Sequence, residues 1–514
     1  MSAGLLFSFV IGYFVLLLIV AWYTSRNSNN DSFFIGNRNS NWMLVSFGMI
    51  GTSLSGVTFV SVPGDVGTNN FAYFQLVLGY FVGYFVVAFV LLPLYYKLNL
   101  KSIYTFLEKR FGVAAHKSGA FFFILSRTVG ATARLYLVIN ILQIFILDSM
   151  GVPFWVTSIV IILMILLYTF EGGVKTIIYT DTLQTSGMLI GLVACILAVV
   201  AALNTDLSGV YESITANGYN KIFNFDGNSS QNFFKQFIGG MFITITMTGL
   251  DQEMMQKNIS VKTLGNSQKN MVTLSFVLVV VNFLFLFLGG VLYVYAQANG
   301  ISATGDDLFP TVALGGAFSA TIGVVFIIAI ISALFPSVDG AITSLTSSYC
   351  IDILDLNKKY TDEKVKKKRR LRVHLTFAVI FFLMALLFKY IDDKNIIQFI
   401  IKFAGITYGP LLGLFAFGIL TKRSINPKMV WPAVITGPVL TVILDMICNP
   451  AYYEGKLKVK LPFDALSASI FNGYKIGPEL ILINGVLTFL CLLVISKKGG
   501  EENSLKNIIA KEIA

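Results

Sequence analysis

Residues able to bind a small cation occur at two points inside long apolar stretches of the sequence. One is Gly51-Thr52-Ser53-Leu54-Ser55-Gly56, and the other is Ser332-Ala333-Leu334-Phe335-Pro336-Ser337. Pro336 has no N–H group, so the carbonyl group one helical turn earlier, at Ser332, loses its helical partner. Free carbonyl and hydroxyl oxygens are the ligands that a hard cation such as Na⁺ prefers. We therefore predict that the two segments meet and bind a sodium ion between them.

A third stretch, 233–254, combines Gly239-Gly240 with several threonines and ends in an apolar setting at Asp251-Gln252. Small and hydroxyl residues in membrane helices more often serve close helix packing than ligand binding. Their clustering at helix breaks favours a site, because irregular backbone persists at membrane depth only where it is buried or lines a cavity. For any single one of these residues both interpretations remain open.

Charged residues inside apolar stretches are costly and therefore indicate function. Asp181 lies near the start of the stretch 176–202, and Asp339 lies just beyond the second segment. If the two carboxylates meet, we expect them to bind a second cation or to share a proton. The alternatives are an interfacial charge at Asp181 and a structural hydrogen bond at Asp339. Arg127 and Arg134 are seven residues apart on one helical face, where they pair with carboxylates or with an anionic solute.

The chain around these residues has the composition of a membrane protein, with 55% hydrophobic and 13% charged residues. A helix needs roughly 20 apolar residues to cross the hydrocarbon core. Enough stretches reach this length to predict an all-α membrane protein with about 13 transmembrane helices. They lie at about 3–24, 42–62, 71–95, 115–146, 152–170, 176–202, 233–254, 270–297, 311–348, 371–391, 395–420, 428–447 and 478–496.

The net charge of +11 is distributed unequally between the two sides of the predicted bundle. Of the 38 Lys and Arg residues, 27 fall in loops on the side of the C-terminus and 8 in loops on the other side. This asymmetry follows the positive-inside rule and does not indicate nucleic-acid binding. It predicts a protein of the cell inner membrane with the N-terminus outside and the C-terminus in the cytoplasm.

The spans divide into two groups of five, 42–202 and 233–420, and each group begins with an interrupted helix. An odd number of helices in each group inverts the second group relative to the first, so the spacing predicts two inverted repeats. The helix at 3–24 precedes them, two helices at 428–496 follow, and 497–514 is predicted to be a cytoplasmic tail. The whole chain is predicted to be one transporter domain.

Five motifs, in order along the chain, resemble those of the sodium:solute symporter family. The segment Glu171–Gln184 is similar to its signature, a paired Gly followed by Thr-Asp-x-x-Gln. The others are Phe33–Arg38, Phe106–Gly112, Asp251-Gln252 with Gln256-Lys257, and Tyr408–Gly413 leading to Thr421-Lys422-Arg423. The resemblance spans some 400 residues. It implies a bacterial member of the family with the leucine-transporter-like fold of two inverted five-helix repeats.

The resemblance also implies the ligands of the sodium site. They are the carbonyl groups of Gly51, Leu54 and Ala333 with hydroxyl groups at positions 336 and 337. This chain keeps Ser337 but has Pro336, where relatives have a second hydroxyl, so either the Ser332 carbonyl substitutes or the site is weaker. Some members bind a second sodium ion through the signature aspartate, here Asp181, and hydroxyls near position 339. Asp339 departs from that pattern and leaves one or two sodium ions open.

Solute contacts in the family fall on the first broken helix and on the helices beside it. The resemblance therefore implies solute contacts at Ser53, Ser55, Thr58, Tyr73, Gln75 and Gln398. Ser53, Ser55 and Thr58 resemble the sialic acid branch. The arginine that this branch uses for the solute carboxylate aligns nearer Gly130, between Arg127 and Arg134.

We therefore predict a secondary active symporter that couples inward sodium movement to uptake of a small polar organic solute by alternating access. A sugar or a sugar acid such as sialic acid is favoured; a proton-coupled carrier, or a sodium symporter for amino acids or small carboxylates, is the alternative. An enzyme is disfavoured because the two histidines, His116 and His374, belong to no metal-ligand cluster or nucleophile–base pair. The expected partners are the solute, sodium ions and the lipid bilayer, with no nucleic acid and no obligate protein partner.

Overall fold

Helices make up nearly all of the protein. The computed structural model describes residues 3–25, 30–169, 173–315, 320–391, 396–460, 462–498, 507, 509 and 510. Within these residues the strands are limited to one antiparallel pair, Ser424–Ile425 with Ser496–Lys497. The signature residues Glu171 and Gly172 and most of the predicted tail 497–514 lie outside the described residues.

Long apolar helices form the body of the protein. In the described ranges, nine helices are long and apolar enough to cross a membrane, and two bent pairs bring the number to as many as eleven. The predicted stretches at 152–170 and 478–496 correspond to shorter apolar helices, so the number thirteen remains a prediction. The nine are Gly4–Ser25, Tyr73–Lys97, Val113–Met150, Gly173–Ala202, Leu264–Ala298, Ile322–Ile353, Glu363–Ile391, Ile396–Leu420 and Pro427–Cys448, and the shorter two are Phe154–Thr169 and Leu480–Ile495.

Short helices connect the long ones. An example is Leu207–Ala216, which lies in the predicted polar connection 203–232 and begins at Asp206, whose side chain accepts a hydrogen bond from Gly209 N. The other short α-helices are Asn30–Ile35, Thr105–Phe111, Leu308–Leu314, Leu356–Lys359, Pro450–Leu457 and Asp464–Phe471.

The two bent pairs begin the two predicted repeats. The first broken helix consists of Trp42–Ser53 and Gly56–Asn69, which meet at 52°. The second broken helix consists of Phe233–Gly249 and Gln252–Ile259, which meet at 62°. The placement of a break near the start of each repeat is as the sequence predicts.

One predicted helix end and one predicted helix break are wrong. The span predicted at 42–62 does not end there, because Pro63 lies inside the half of the first broken helix that continues to Asn69. Pro336 likewise does not interrupt its helix, which is continuous over Ala320–Ser348 and is called the proline helix below. A proline removes one backbone hydrogen bond, and surrounding helices can hold the remaining turns in register within a buried bundle.

Glycines allow helix Tyr73–Lys97 and the second broken helix to approach closely. A side chain at Gly79 would overlap the backbone of Phe237, and one at Gly240 would overlap the backbone of Leu76. Helix Tyr73–Lys97 therefore contacts the first half of the second broken helix backbone to backbone. Small residues permit this kind of contact in membrane bundles, where dispersion forces replace the hydrophobic effect.

Candidate sodium and solute sites

The break in the first broken helix lies at Leu54 and Ser55. Both residues are extended, with φ/ψ of −95°/104° and −98°/177°. The neighbouring serine and threonine side chains favour such a break because they compete with the helix for backbone hydrogen bonds. The last carbonyl groups of a helix have no partner within the helix, and they carry its negative dipole end. The carbonyl groups of Gly51–Leu54 are therefore suited to a cation.

The proline helix lies directly against this break. A methyl group added at Gly51 would lie 3.5 Å from Pro336 Cγ, so the two segments meet as the sequence predicts. Ala333 and Ser337 are fully buried. The Ser337 hydroxyl donates a hydrogen bond to the Leu334 carbonyl at 2.8 Å, which leaves its oxygen lone pairs able to accept a cation.

Thr185 is a further hydroxyl at this position that the sequence reasoning missed. It lies on helix Gly173–Ala202, called the signature helix below, and the same methyl group at Gly51 would overlap its Oγ1. The Thr185 side chain is fully buried, and its hydroxyl has no hydrogen-bond partner among the described residues. An orphaned buried hydroxyl is costly, and a bound ion would satisfy it. The signal in the sequence is its spacing of four residues from Asp181, which places both on one helical face.

Asp181 lies one turn earlier on the signature helix and binds a lysine. Lys257 Nζ is 2.7 Å from Asp181 Oδ2 and 2.6 Å from Thr52 Oγ1. Thr52 also lies 3.3 Å from the same carboxylate oxygen. The Lys257 side chain is not a loop cation, because it is buried in the second half of the second broken helix.

Asp339 has its own partners in this region. The Tyr168 hydroxyl donates to Asp339 Oδ2 at 2.9 Å, and the Gly340 N–H donates to Oδ1. Both Asp181 and Asp339 are fully buried within the helix bundle. Their hydrogen bonds run to different groups, and the structure shows no contact between the two carboxylates in the described residues.

A cavity of about 130 Å³ opens beside the break. Four of the predicted solute contacts line it, namely Ser53, Ser55, Thr58 and Tyr73. The Ser53 hydroxyl is buried and has no hydrogen-bond partner among the described residues. Further polar side chains in the wall, absent from the predicted set of solute contacts, are Thr52, Tyr80, Tyr84, Arg127, Arg134, Thr244, Thr248 and Asn282.

The two predicted glutamines lie elsewhere. Gln75 is fully buried, and its amide binds the Ala72 and Gln231 carbonyl groups and the Asn224 N–H. It holds a connecting segment and does not line the cavity. Gln398 lines a neighbouring cavity of about 260 Å³, which shares Tyr73 with the first. Their roles as solute contacts remain predictions.

The two arginines in the cavity wall differ in their partners. Arg127 Nε donates to Glu253 Oε2 at 2.7 Å, and the Arg127 guanidinium lies 3.9 Å from Asp251 Oδ2. Arg134 forms no ion pair and no hydrogen bond with any described residue, although it lines the same cavity. A cation inside a membrane bundle needs a partner, so Arg134 is available to an anionic ligand.

Comparisons with known proteins identify the family of the chain. The sodium:solute symporter family model matches residues 33–435. The sodium/sialic acid symporter SiaT of Proteus mirabilis is 24% identical over 441 residues, which cover 81% of this chain and 85% of that protein. The sodium/sialic acid symporter NanT of Aliivibrio fischeri is 26% identical over 432 residues, with coverage of 80% and 81%.

Two solved structures share the fold. A Na⁺-coupled sialic acid symporter in a substrate-bound outward-open state has a TM-score of 0.78 at 20% identity and covers 96% of this chain and 99% of its own. MHP1, a transporter of the nucleobase-cation-symport-1 family, has a TM-score of 0.51 at 12% identity and covers 94% and 98%. These likenesses confirm the predicted fold of a leucine-transporter-like carrier. The chain belongs to the sodium:solute symporter family and is a multi-pass membrane transporter that couples sodium movement to solute uptake.

Proposed function

We propose that the transported solute is a small polar carboxylate, with a sugar acid of the sialic acid type as the first candidate. The observation that carries this proposal is Arg134, a cation in the cavity wall with no anionic partner among the described residues. A guanidinium group matches a carboxylate in a two-pronged arrangement. The similarity of the chain to a sodium/sialic acid symporter and to a sodium-coupled monocarboxylate transporter supports the same solute class.

The rest of the cavity suits a hydroxyl-rich solute. Ser53, Ser55 and Thr58 present hydroxyl groups from the first broken helix, and Asn282 presents an amide from helix Leu264–Ala298. Hydroxyl and amide groups donate and accept hydrogen bonds, which is what the hydroxyl and acetamido groups of a sugar acid require. Tyr73 adds an aromatic wall against which the carbon skeleton of a sugar packs.

The sodium site, in this proposal, lies between the first broken helix, the proline helix and the signature helix. Carbonyl groups of Gly51, Leu54 and Ala333 and the hydroxyl of Ser337 provide four oxygens. Position 336 has no hydroxyl to offer, and we assign that role to Thr185, whose buried hydroxyl lies against Gly51. Neutral oxygens in this number suit Na⁺.

Coupling follows from the shared backbone of the two sites. Leu54 contributes to the sodium site while Ser53 and Ser55, on either side of it, line the solute cavity. Sodium therefore fixes the shape of the segment that binds the solute, and each ligand favours the conformation that binds the other. One sodium ion carried together with one carboxylate monoanion moves no net charge, so the sodium concentration gradient supplies the free energy for uptake. In the orientation predicted from the loop charges, the N-terminus faces outside and the C-terminus faces the cytoplasm of a bilayer-embedded carrier.

Uptake into proteoliposomes tests the solute class. We expect sodium-dependent uptake of sialic acid and none of the neutral N-acetylated hexose that lacks the carboxylate. Arg134→Gln removes the charged contact, worth about 1.5–3 kcal/mol, and should lower apparent affinity for the acid roughly 10- to 100-fold. Sodium binding in the absence of solute is the control and should not change in this variant.

A different outcome identifies a different solute class. Sodium-dependent uptake of neutral sugars or cationic amino acids, with Arg134→Gln as active as the parent protein, would contradict the carboxylate proposal. Uptake driven by a pH gradient without sodium would contradict the sodium site.

A further inference from the structure

Lys257 places an ammonium group where a cation would bind. Its side chain is 3% exposed, and it begins on the second half of the second broken helix. The Nζ atom reaches Asp181 Oδ2 at 2.7 Å, Thr52 Oγ1 at 2.6 Å and Glu253 Oε1 at 3.8 Å. A hydroxyl and two carboxylates from three different helices therefore surround one positive charge.

The carboxylate oxygens around Lys257 resemble the ligands of a cation site. In a purely structural ion pair, each of these oxygens would have a hydrogen-bond partner. Asp181 Oδ1 and Glu253 Oε1 are buried and have no hydrogen-bond partner among the described residues. An unpaired carboxylate oxygen inside a membrane bundle is costly unless a cation lies nearby. In this structure the nearby cation is the lysine itself.

The position is adjacent to the proposed sodium site. Asp181 precedes Thr185 by one helical turn on the signature helix, and Thr52 follows Gly51 on the first broken helix. Gly48 lies against Asp181 as Gly51 lies against Thr185. The helices thus form two successive layers, one with neutral oxygens and one with carboxylates.

The other charges near this layer are paired in other ways. Arg127 binds the second oxygen of Glu253, and Tyr168 donates to Asp339. Among the described residues, Lys257 is therefore the cation that contacts both Asp181 and Glu253.

We propose that the Lys257 ammonium group is a built-in cation that fills the second cation position, so that the carrier binds one sodium ion. A sodium ion cannot contact Asp181 Oδ2 while the ammonium group is 2.7 Å away, because two positive charges would then occupy one small buried site. Removal of the ammonium group leaves the oxygens of Asp181, Glu253 and Thr52 around a vacated position, and a second sodium ion can enter it.

Counting sodium ions on the purified protein tests this proposal. Equilibrium binding of ²²Na⁺ without solute should give one ion per chain and a Hill coefficient near 1 for the parent protein and for Lys257→Arg. Lys257→Ala should give two ions per chain with a Hill coefficient above 1. The double variant Lys257→Ala/Asp181→Asn should return to one, because the new site loses its principal carboxylate.

A matched control separates this effect from general loss of charge. Lys402 also pairs with a buried carboxylate, Asp445, at 2.7 Å, and it lies in another part of the protein. Lys402→Ala should still bind one sodium ion. If Lys257→Ala does not fold, the ion count of the parent protein decides, because two bound ions there overturn the proposal.

Two further results would also overturn it, namely one bound ion in a folded Lys257→Ala and two bound ions in Lys257→Arg. The count uses no solute, so an error in the proposed solute class leaves it unaffected. The proposal rests on Na⁺ coupling alone.

Discussion

Replacement of Thr185 by valine should maintain or increase the stability of the sodium-free protein and should weaken its binding of sodium. Valine has nearly the shape of threonine and lacks its hydroxyl group. The Thr185 hydroxyl is buried and has no protein partner among the described residues. A buried unsatisfied polar group costs about 1–3 kcal/mol, so Thr185→Val should raise the free energy of unfolding of the apo protein or leave it unchanged.

The same change should weaken sodium binding. A contact between a hydroxyl oxygen and a charged group is worth about 1.5–3 kcal/mol, which corresponds to a rise of roughly 10- to 100-fold in the sodium dissociation constant. Sodium stabilises the folded state in proportion to the logarithm of its concentration over that constant. The midpoint of a sodium titration followed by thermal unfolding should therefore move by the same factor.

Ser337→Ala is the matched comparison for Thr185→Val. The Ser337 hydroxyl also donates to the Leu334 carbonyl at 2.8 Å, so its loss should both destabilise the apo protein and weaken sodium binding. The combination of a stable apo protein and weak sodium binding is specific to an orphaned ligand. An unchanged sodium midpoint in Thr185→Val would refute the assignment of Thr185 to the sodium site.

Two further predictions concern Pro336 and Gln75. Pro336→Ser supplies the hydroxyl that the family resemblance implies at this position and restores the hydrogen bond to the Ser332 carbonyl, so the sodium half-saturation should fall about tenfold in ²²Na⁺ binding. Weaker binding in that variant would show that the free Ser332 carbonyl is itself a ligand. Gln75→Ala removes three hydrogen bonds to a connecting segment and should lower thermal stability, by about 1–3 kcal/mol in free energy of unfolding, without changing the apparent solute affinity. A large loss of solute affinity at unchanged stability would restore Gln75 to the solute site.

Much of the fold can be predicted from the sequence because a membrane restricts the alternatives. Apolar length identifies the spans, and the hydroxyl-rich segments identify the breaks, since the backbone must otherwise satisfy its own hydrogen bonds. The prediction fails where tertiary packing decides. The sequence predicts a helix end just before Pro63 and a helix break at Pro336, yet the chain is helical through both residues.

The candidate site is predicted less completely, for a physical reason. The motif that contains Lys257 identifies the residue but not its partner, because Asp181 lies 76 positions away in sequence. In the sequence, Lys257 follows an apolar stretch and resembles an ordinary loop cation. The bend at Leu250–Asp251 directs the following half-helix, and Lys257 with it, into the interior of the bundle. Thr185 gives an even weaker signal in the sequence. It is a candidate ligand because its buried hydroxyl has no hydrogen-bond partner among the described residues, and a sequence does not reveal this.

The close contact between Gly79, Gly240 and the opposing backbones limits how this carrier can change shape. When two helices are in contact through their backbones, a sliding or rotation of one against the other causes a steric clash. We therefore expect helix Tyr73–Lys97 and the first half of the second broken helix to move together as one rigid body. We expect the cavity to open to either side of the bilayer through hinge movements at the two bends, Leu54–Ser55 and Leu250–Asp251, and through movement of the helices that surround this rigid body.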